Sequence, residues 1–175
     1  EWLYTHRASD FEEMNNISKN NRRKLASLYT VGRYAPMHEQ RSIDGTVKYL
    51  FATSDGKAVE SVYIPDGDRA TLCISSQKGC RMGCTFCMTG RQGFHGNLTP
   101  AEIINQIMSI PETETLTNVV FMGMGEPMDN ADAVLQVIDV LTAKWGLAWS
   151  PKRITVSSIG KMPELRRLLD ETSVH

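Results

Sequence analysis

Three cysteines spaced C-x3-C-x2-C, Cys80, Cys84 and Cys87, sit in the stretch Gln77-Lys78-Gly79-Cys80-Arg81-Met82-Gly83-Cys84-Thr85-Phe86-Cys87. Everything downstream reads as a scaffold for what they hold. Thiolates gathered this closely suit soft metals or an iron–sulfur cluster, and a cluster usually takes four ligands. Three from the protein leave one iron open to a small molecule that can bind there and accept an electron. Structural zinc sites more often show two C-x2-C knuckles or a cysteine–histidine pair. Here His95, in a Gly-Phe-His-Gly loop, keeps a Cys3His zinc site as the alternative. A disulfide framework is disfavoured because the sequence is not cysteine-dense. Four cysteines, three of them clustered, fit a reducing cytosol, so a cytoplasmic location is expected.

A chain of 175 residues with 41% hydrophobic and 22% charged residues has the composition of a soluble domain with a proper core. No apolar run reaches the length of a membrane-spanning helix, so no membrane partner is expected. The net charge of -1 does not announce a nucleic-acid binder, and any RNA contact would rest on local patches. Candidates for phosphate contact are Arg22, Arg23 and Lys24, and Lys78, Arg81 and Arg91 around the cysteine loop.

Residues 1–45 read as a small helical accessory module. Ser18 is the expected N-cap of a helix over residues 19–29, with Leu25, Leu28 and Tyr29 at helical spacing. From Gly45 the period changes to two. Residues 46–69 predict a β-hairpin extension, with strands over 47–52 and 58–64 joined by a turn at Ser54-Asp55-Gly56-Lys57. In the second strand Val59, Ser61 and Tyr63 share one face, and Glu60, Val62 and Ile64 the other. A carboxylate among apolar neighbours is most simply an edge or salt-bridged residue.

Residues 70–175 predict alternating strands and helices. A strand over 69–76 leads into the cysteine loop. Thr99-Pro100-Ala101-Glu102 then carries a capping-box pattern ahead of a helix with Ile103, Ile104, Ile107 and Met108 on one face. Strands over 118–122 and 153–158 follow, with helices burying Val134, Leu135, Val137, Ile138 and Leu141, and then Leu165, Leu168 and Leu169. Ser173-Val174-His175 reads as the opening of a further strand. This alternation means parallel strands with crossover helices, and the motifs sit just after strands, at the C-terminal rim where barrel active sites lie. The fold class expected is α/β: the first three βα units of an incomplete barrel.

Five motifs occur in order: Arg-Ala-Thr-Leu-Cys, the C-x3-C-x2-C triad, Gly-Phe-x-Gly-Asn-Leu, Gly-Met-Gly-Glu-Pro and Thr-Val-Ser-Ser-x-Gly. Together they closely resemble the RlmN/Cfr family of radical S-adenosylmethionine (SAM) methyltransferases, nearest to the RlmN type. The resemblance implies a partial (β/α)6 barrel and methylation of C2 of an adenine in 23S rRNA and tRNA through a methyl-cysteine intermediate. The Cfr type, which methylates C8, is the alternative, and a zinc-stabilised RNA-binding module is the non-enzymatic one. By resemblance, Cys80, Cys84 and Cys87 ligate a [4Fe-4S] cluster, Gly125 and Glu126 bind the amino end of SAM, and Ser157 bonds its nucleoside. Glu60 is implied as proton acceptor. Cys73, which would otherwise read as an inert core thiol, is implied as the cysteine that resolves the enzyme–RNA adduct by forming a disulfide. Partners implied are the two RNAs and an electron donor such as flavodoxin. The family's methyl-carrying cysteine falls beyond residue 175, so the chain is expected to be a piece of a longer protein that does not turn over alone.

Overall fold

Large apolar side chains alternate in Val47-Lys48-Tyr49-Leu50-Phe51-Ala52, and the strand they form buries Val47, Tyr49 and Phe51 while exposing Lys48 and Ala52. That alternation sets the register of one mixed sheet. The computed structural model describes residues 2–174. Its elements run α1 (Lys19–Leu28), β1 (His38–Arg41), β2 (Val47–Ala52), β3 (Ala58–Asp66), β4 (Arg69–Cys73), β5 (Gln77–Gly79), α2 (Met88–Arg91) and β6 (Phe94–Asn97). There follow α3 (Pro100–Met108), β7 (Asn118–Phe121), α4 (Ala131–Thr142), β8 (Ile154–Val156) and α5 (Met162–Glu171). The main sheet has the order β1-β2-β3-β4-β7-β8, and β5 with β6 forms a separate ribbon. Strands β1 to β4 pair antiparallel, whereas β4, β7 and β8 are parallel neighbours. The latter three, with α3, α4 and α5, are the open start of a βα barrel.

Two rows across the register show which face the helices cover. Leu72, Val119 and Ile154 stand side by side and are all essentially inaccessible. They pack with Ile103 and Ile107 of α3, Val134, Val137 and Leu141 of α4, and Leu168 of α5. Each such side chain contributes about 1.5–3 kcal/mol of burial. The next row, Cys73, Val120 and Thr155, points to the other face and is only half-buried.

Several expectations need correction. Helix α1 has no buried residue, and Leu28 and Tyr29 are exposed. Its module is held instead by buried Ala8 and Met14, and by Arg22, which pairs with Glu12 and donates to the Met14 carbonyl. Arg33 then ties the segment to the body through the carbonyls of Leu3 and Met108. Strand β1 lies in the stretch read as helical; all four of its residues are exposed, so it carries no alternation to read. In α5 only Leu168 is buried, with Leu165 half-buried and Leu169 exposed, because the helix meets the sheet along a narrow line. Ser173 and Val174 are not in a strand, although Val174 is buried; His175 lies outside the described residues. The strand expected over 69–76 ends at Cys73, for reasons that belong to the site.

Candidate active site

Beyond β4 the regular ladder ends: Ile74 and Ser76 still bond the backbone of Val120, Gly123 and Met124, but polar side chains take over the Ser75 backbone and the Ser76 carbonyl. The Gln106 amide of α3 accepts the Ser75 N–H and donates to the Ser75 carbonyl, both at 2.9 Å. Asn130 donates to the carbonyls of Ser76 and Leu98, both at 2.8 Å. The Ser75 hydroxyl donates to the Glu60 carbonyl and accepts the Met124 N–H. Ser75, Ser76, Gln77, Gln106 and Asn130 are all buried, and these bonds offset much of their desolvation, although the Ser76 hydroxyl has no partner among the described residues. The segment delivers the chain into β5, whose pairing with β6 closes the root of the cysteine loop.

Cys80, Cys84 and Cys87 lie on that loop, all half-buried, and none is in a disulfide. The Cys80 sulfur accepts the Met82 N–H at 3.5 Å. Cys87 precedes α2, and the N–H groups of Gly90 and Thr89 draw its thiol below the ordinary cysteine range. Three soft donors with backbone N–H groups aimed at two of them fit thiolate ligation of a cluster. Among the described residues, however, no three His, Cys, Asp or Glu side chains are drawn together closely enough to hold one metal ion. His95 Nε2 lies 3.0 Å from the Gln92 carbonyl. Of the basic residues proposed for phosphate contact, Lys78 is buried and paired with Asp55 at 2.8 Å, and Arg81 stacks on Phe94 at 3.9 Å.

Glu126 follows β7 and is buried, with 4% exposure. Its Oε1 accepts the Met128 N–H at 3.0 Å and the Ser158 hydroxyl at 2.6 Å, and its Oε2 accepts the Ile159 N–H at 3.0 Å. A carboxylate offers about four acceptor sites, so three donors leave room at Oε2 for one more, such as an ammonium group. Gly125 has φ +100°, and a Cβ there would come within 2.5 Å of the Gln77 side chain. Here the glycine admits Gln77, a close approach that spacing alone did not reveal. Ser157 is exposed beyond the end of β8, while its neighbour Ser158, which sequence reasoning passed over, holds the carboxylate. The duplicated serine gave no sign of which one turns inward.

Glu60 and Cys73 occupy the face of the sheet left free by the helices. Val62 pairs with Cys73, so Glu60 sits diagonally across from Cys73, roughly 7–8 Å away by strand geometry. Glu60 pairs with Lys48 at 3.2 Å, both side chains nearly half exposed. Burial pushes the Cys73 thiol up, partly offset by the Met122 N–H. Glu60 and Cys73 thus belong to the main sheet, whereas the cysteine loop grows from the separate β5–β6 ribbon, to which Glu126 is tied through Gln77.

A family model described as the radical SAM superfamily matches residues 74–173. The chain belongs to the radical SAM superfamily. Radical SAM proteins use a [4Fe-4S] cluster and SAM. A second model, a ribosomal RNA large subunit methyltransferase N-terminal domain, matches residues 1–31. The chain is 61% identical over 175 residues to a probable dual-specificity RNA methyltransferase RlmN of Porphyromonas gingivalis strain W83, covering 100% of this chain and 51% of that protein. It is 47% identical over 179 residues to a dual-specificity RNA methyltransferase RlmN of Desulfosudis oleivorans, covering 99% and 48%. The crystal structure of a radical SAM methyltransferase from Sphaerobacter thermophilus superposes with a TM-score of 0.88 at 35% identity, over 99% of this chain and 52% of that one. This radical SAM chain therefore spans about half the length of the relatives it matches, and none of its described helices is long and apolar enough to cross a membrane.

Proposed function

We propose that the protein to which this chain contributes is an RNA methyltransferase of the dual-specificity RlmN kind, acting on C2 of an adenine in 23S rRNA and in tRNA. The observation that carries this is the placing of Glu60 diagonally across from Cys73 on one sheet face, Cys73 ending the strand from which the chain runs on to the cysteine loop. A radical SAM enzyme on small molecules has no evident use for an acid and an extra thiol so placed. The relatives' names support the RNA substrate.

Cys80, Cys84 and Cys87 would hold the [4Fe-4S] cluster, which when bound supplies the electron that cleaves SAM. Gly125 and Glu126 receive the amino end of SAM, at the acceptor site left on the Glu126 carboxylate, and Ser157 takes the nucleoside. Glu60 removes the ring proton, and its half-exposed position gives that proton a way out. Cys73, on losing its proton, attacks the sulfur that links enzyme to base: a disulfide forms, the bond from that sulfur to the linking carbon breaks with its electron pair passing to the base, and the carbon takes up a proton as the methyl group of the departing adenine. Burial raises the Cys73 pKa, so the thiol must give up its proton before it attacks. A flavodoxin-type electron donor and a cytoplasmic setting complete the proposal.

The test is anaerobic reconstitution of the full-length protein, EPR of the reduced cluster with and without SAM, and mass spectrometry of nucleosides from treated 23S rRNA and tRNA. Expected are a [4Fe-4S]+ signal that changes with SAM, and 2-methyladenosine from both RNAs. 8-Methyladenosine would replace the regiochemistry, and zinc without iron would end the radical reading.

A further inference from the structure

Gln77 is a fully buried amide with every polar atom engaged. Its Oε1 accepts the Glu126 N–H at 2.8 Å, its Nε2 donates to Asn97 Oδ1 at 2.7 Å, and its own N–H donates to the Met124 carbonyl at 3.1 Å. Asn97 in turn donates from Nδ2 to the Asp129 carbonyl at 3.1 Å. Gln77 opens the strand that enters the cysteine loop, Asn97 closes the strand that leaves it, and the two are register partners. The bridge therefore fixes both ends of the loop's root to the backbone on either side of Glu126.

Packing alone does not require this. The β5–β6 pairing and the Asn130 bonds already hold the segment, and an apolar side chain of the same length would fill the space. A buried amide satisfied at both ends instead selects one geometry. The geometry it selects is the offset between the three thiols and the Glu126 carboxylate.

We propose that Gln77 and Asn97 are positioning residues that set the distance between the cluster loop and Glu126, and hence whether one SAM molecule can reach both. This rests on the assignment of Glu126 to SAM. A ligand held at two points is sensitive to displacements of about 1 Å in either, so loosening the bridge weakens SAM binding without removing a cluster ligand.

The experiment uses the reconstituted full-length protein and three variants. Asn97→Ala removes the far end of the bridge at an exposed residue, where folding is tolerant. Asn97→Asp keeps an acceptor for Gln77 Nε2, and Gln77→Met removes both bonds at similar size. Iron and sulfide content, the SAM dissociation constant and the SAM-induced EPR change are measured on each. Expected are parental iron and sulfide throughout, SAM binding weakened about tenfold or more in Gln77→Met and severalfold in Asn97→Ala, a diminished EPR change in both, and only partial recovery in Asn97→Asp, which keeps the bond from Gln77 Nε2 but loses the donor to the Asp129 carbonyl. Parental SAM binding in Asn97→Ala overturns the inference whether or not Gln77→Met folds. Loss of the cluster from a folded Asn97→Ala also overturns it, since the bridge would then serve only the loop. A parent protein that holds its cluster yet ignores SAM fails the assignment of Glu126 instead, and the inference falls with it.

Discussion

Gly125 and Gly56 provide a matched pair for testing how tightly the Gly-Met-Gly-Glu motif is packed. Both have positive φ, +100° and +78°, but a Cβ on Gly56 meets nothing within 4 Å. One on Gly125 would lie 2.5 and 2.6 Å from Gln77 Cβ and Cγ and 2.9 Å from its backbone nitrogen. Gly56→Ala bears only the strain of the left-handed region, about 1–2 kcal/mol. Gly125→Ala adds overpacking against a side chain that cannot swing away, because both ends of its amide are bonded. Overpacking of this kind adds about 1–3 kcal/mol, and a broken buried hydrogen bond about 0.5–1.5 kcal/mol more. The expected total for Gly125→Ala is about 2.5–6.5 kcal/mol. Urea unfolding followed by far-ultraviolet circular dichroism, run beside the parent chain, measures both. Equal shifts in midpoint would refute the packing argument: the glycine would then serve a ligand's approach, and its substitution would appear in SAM affinity alone.

Glu126→Gln keeps the size of a buried carboxylate but replaces an acceptor with an NH2 that must face one of three donors. Expected are a loss of about 1–3 kcal/mol in stability and SAM binding weakened at least tenfold by calorimetry. The thiols should separate by reactivity in cluster-free protein. Cys87, drawn down by N–H groups and accessible, should react with iodoacetamide first at pH 7, and Cys73, pushed up by burial, last. Raising the pH should then accelerate Cys73 over a higher range than Cys87, because its thiolate appears only as pH approaches the raised pKa; peptide mapping against time reads this directly.

What the sequence made legible was what it encodes locally. The hairpin strands fall at 47–52 and 58–66 because their alternation and the Asp55-Gly56 turn are contiguous signals, and Thr99 and Glu102 form the capping box their spacing implies. Ser18 caps α1 as its position predicts. The parts that were not legible depend on partners far along the chain. Gln106 looks like an interruption in an apolar helix face until Ser75, 31 residues away, is seen to need both ends of its amide. Lys78 reads as a free cation until the hairpin turn brings Asp55 to it. The β5–β6 ribbon is short, polar and glycine-bearing, so it has no periodicity to announce it.

Glu60 shows how the two kinds of information combine. Its strand position says only that it shares a face with Val62 and Ile64, which favours an ordinary edge carboxylate. Tertiary structure shows that α3, α4 and α5 cover the opposite face, and Glu60 stays half-buried on the other. Its partner Lys48 does not lock it away, since a half-exposed ion pair is worth about 0–1 kcal/mol. A carboxylate held that loosely can change partners at little cost, whereas Glu126, buried and held by three donors, keeps its position and one open acceptor site. On the function proposed above, the two acids suit opposite tasks, Glu60 to exchange a proton and Glu126 to present a fixed charge. Their environments, more than their residue type, divide the work.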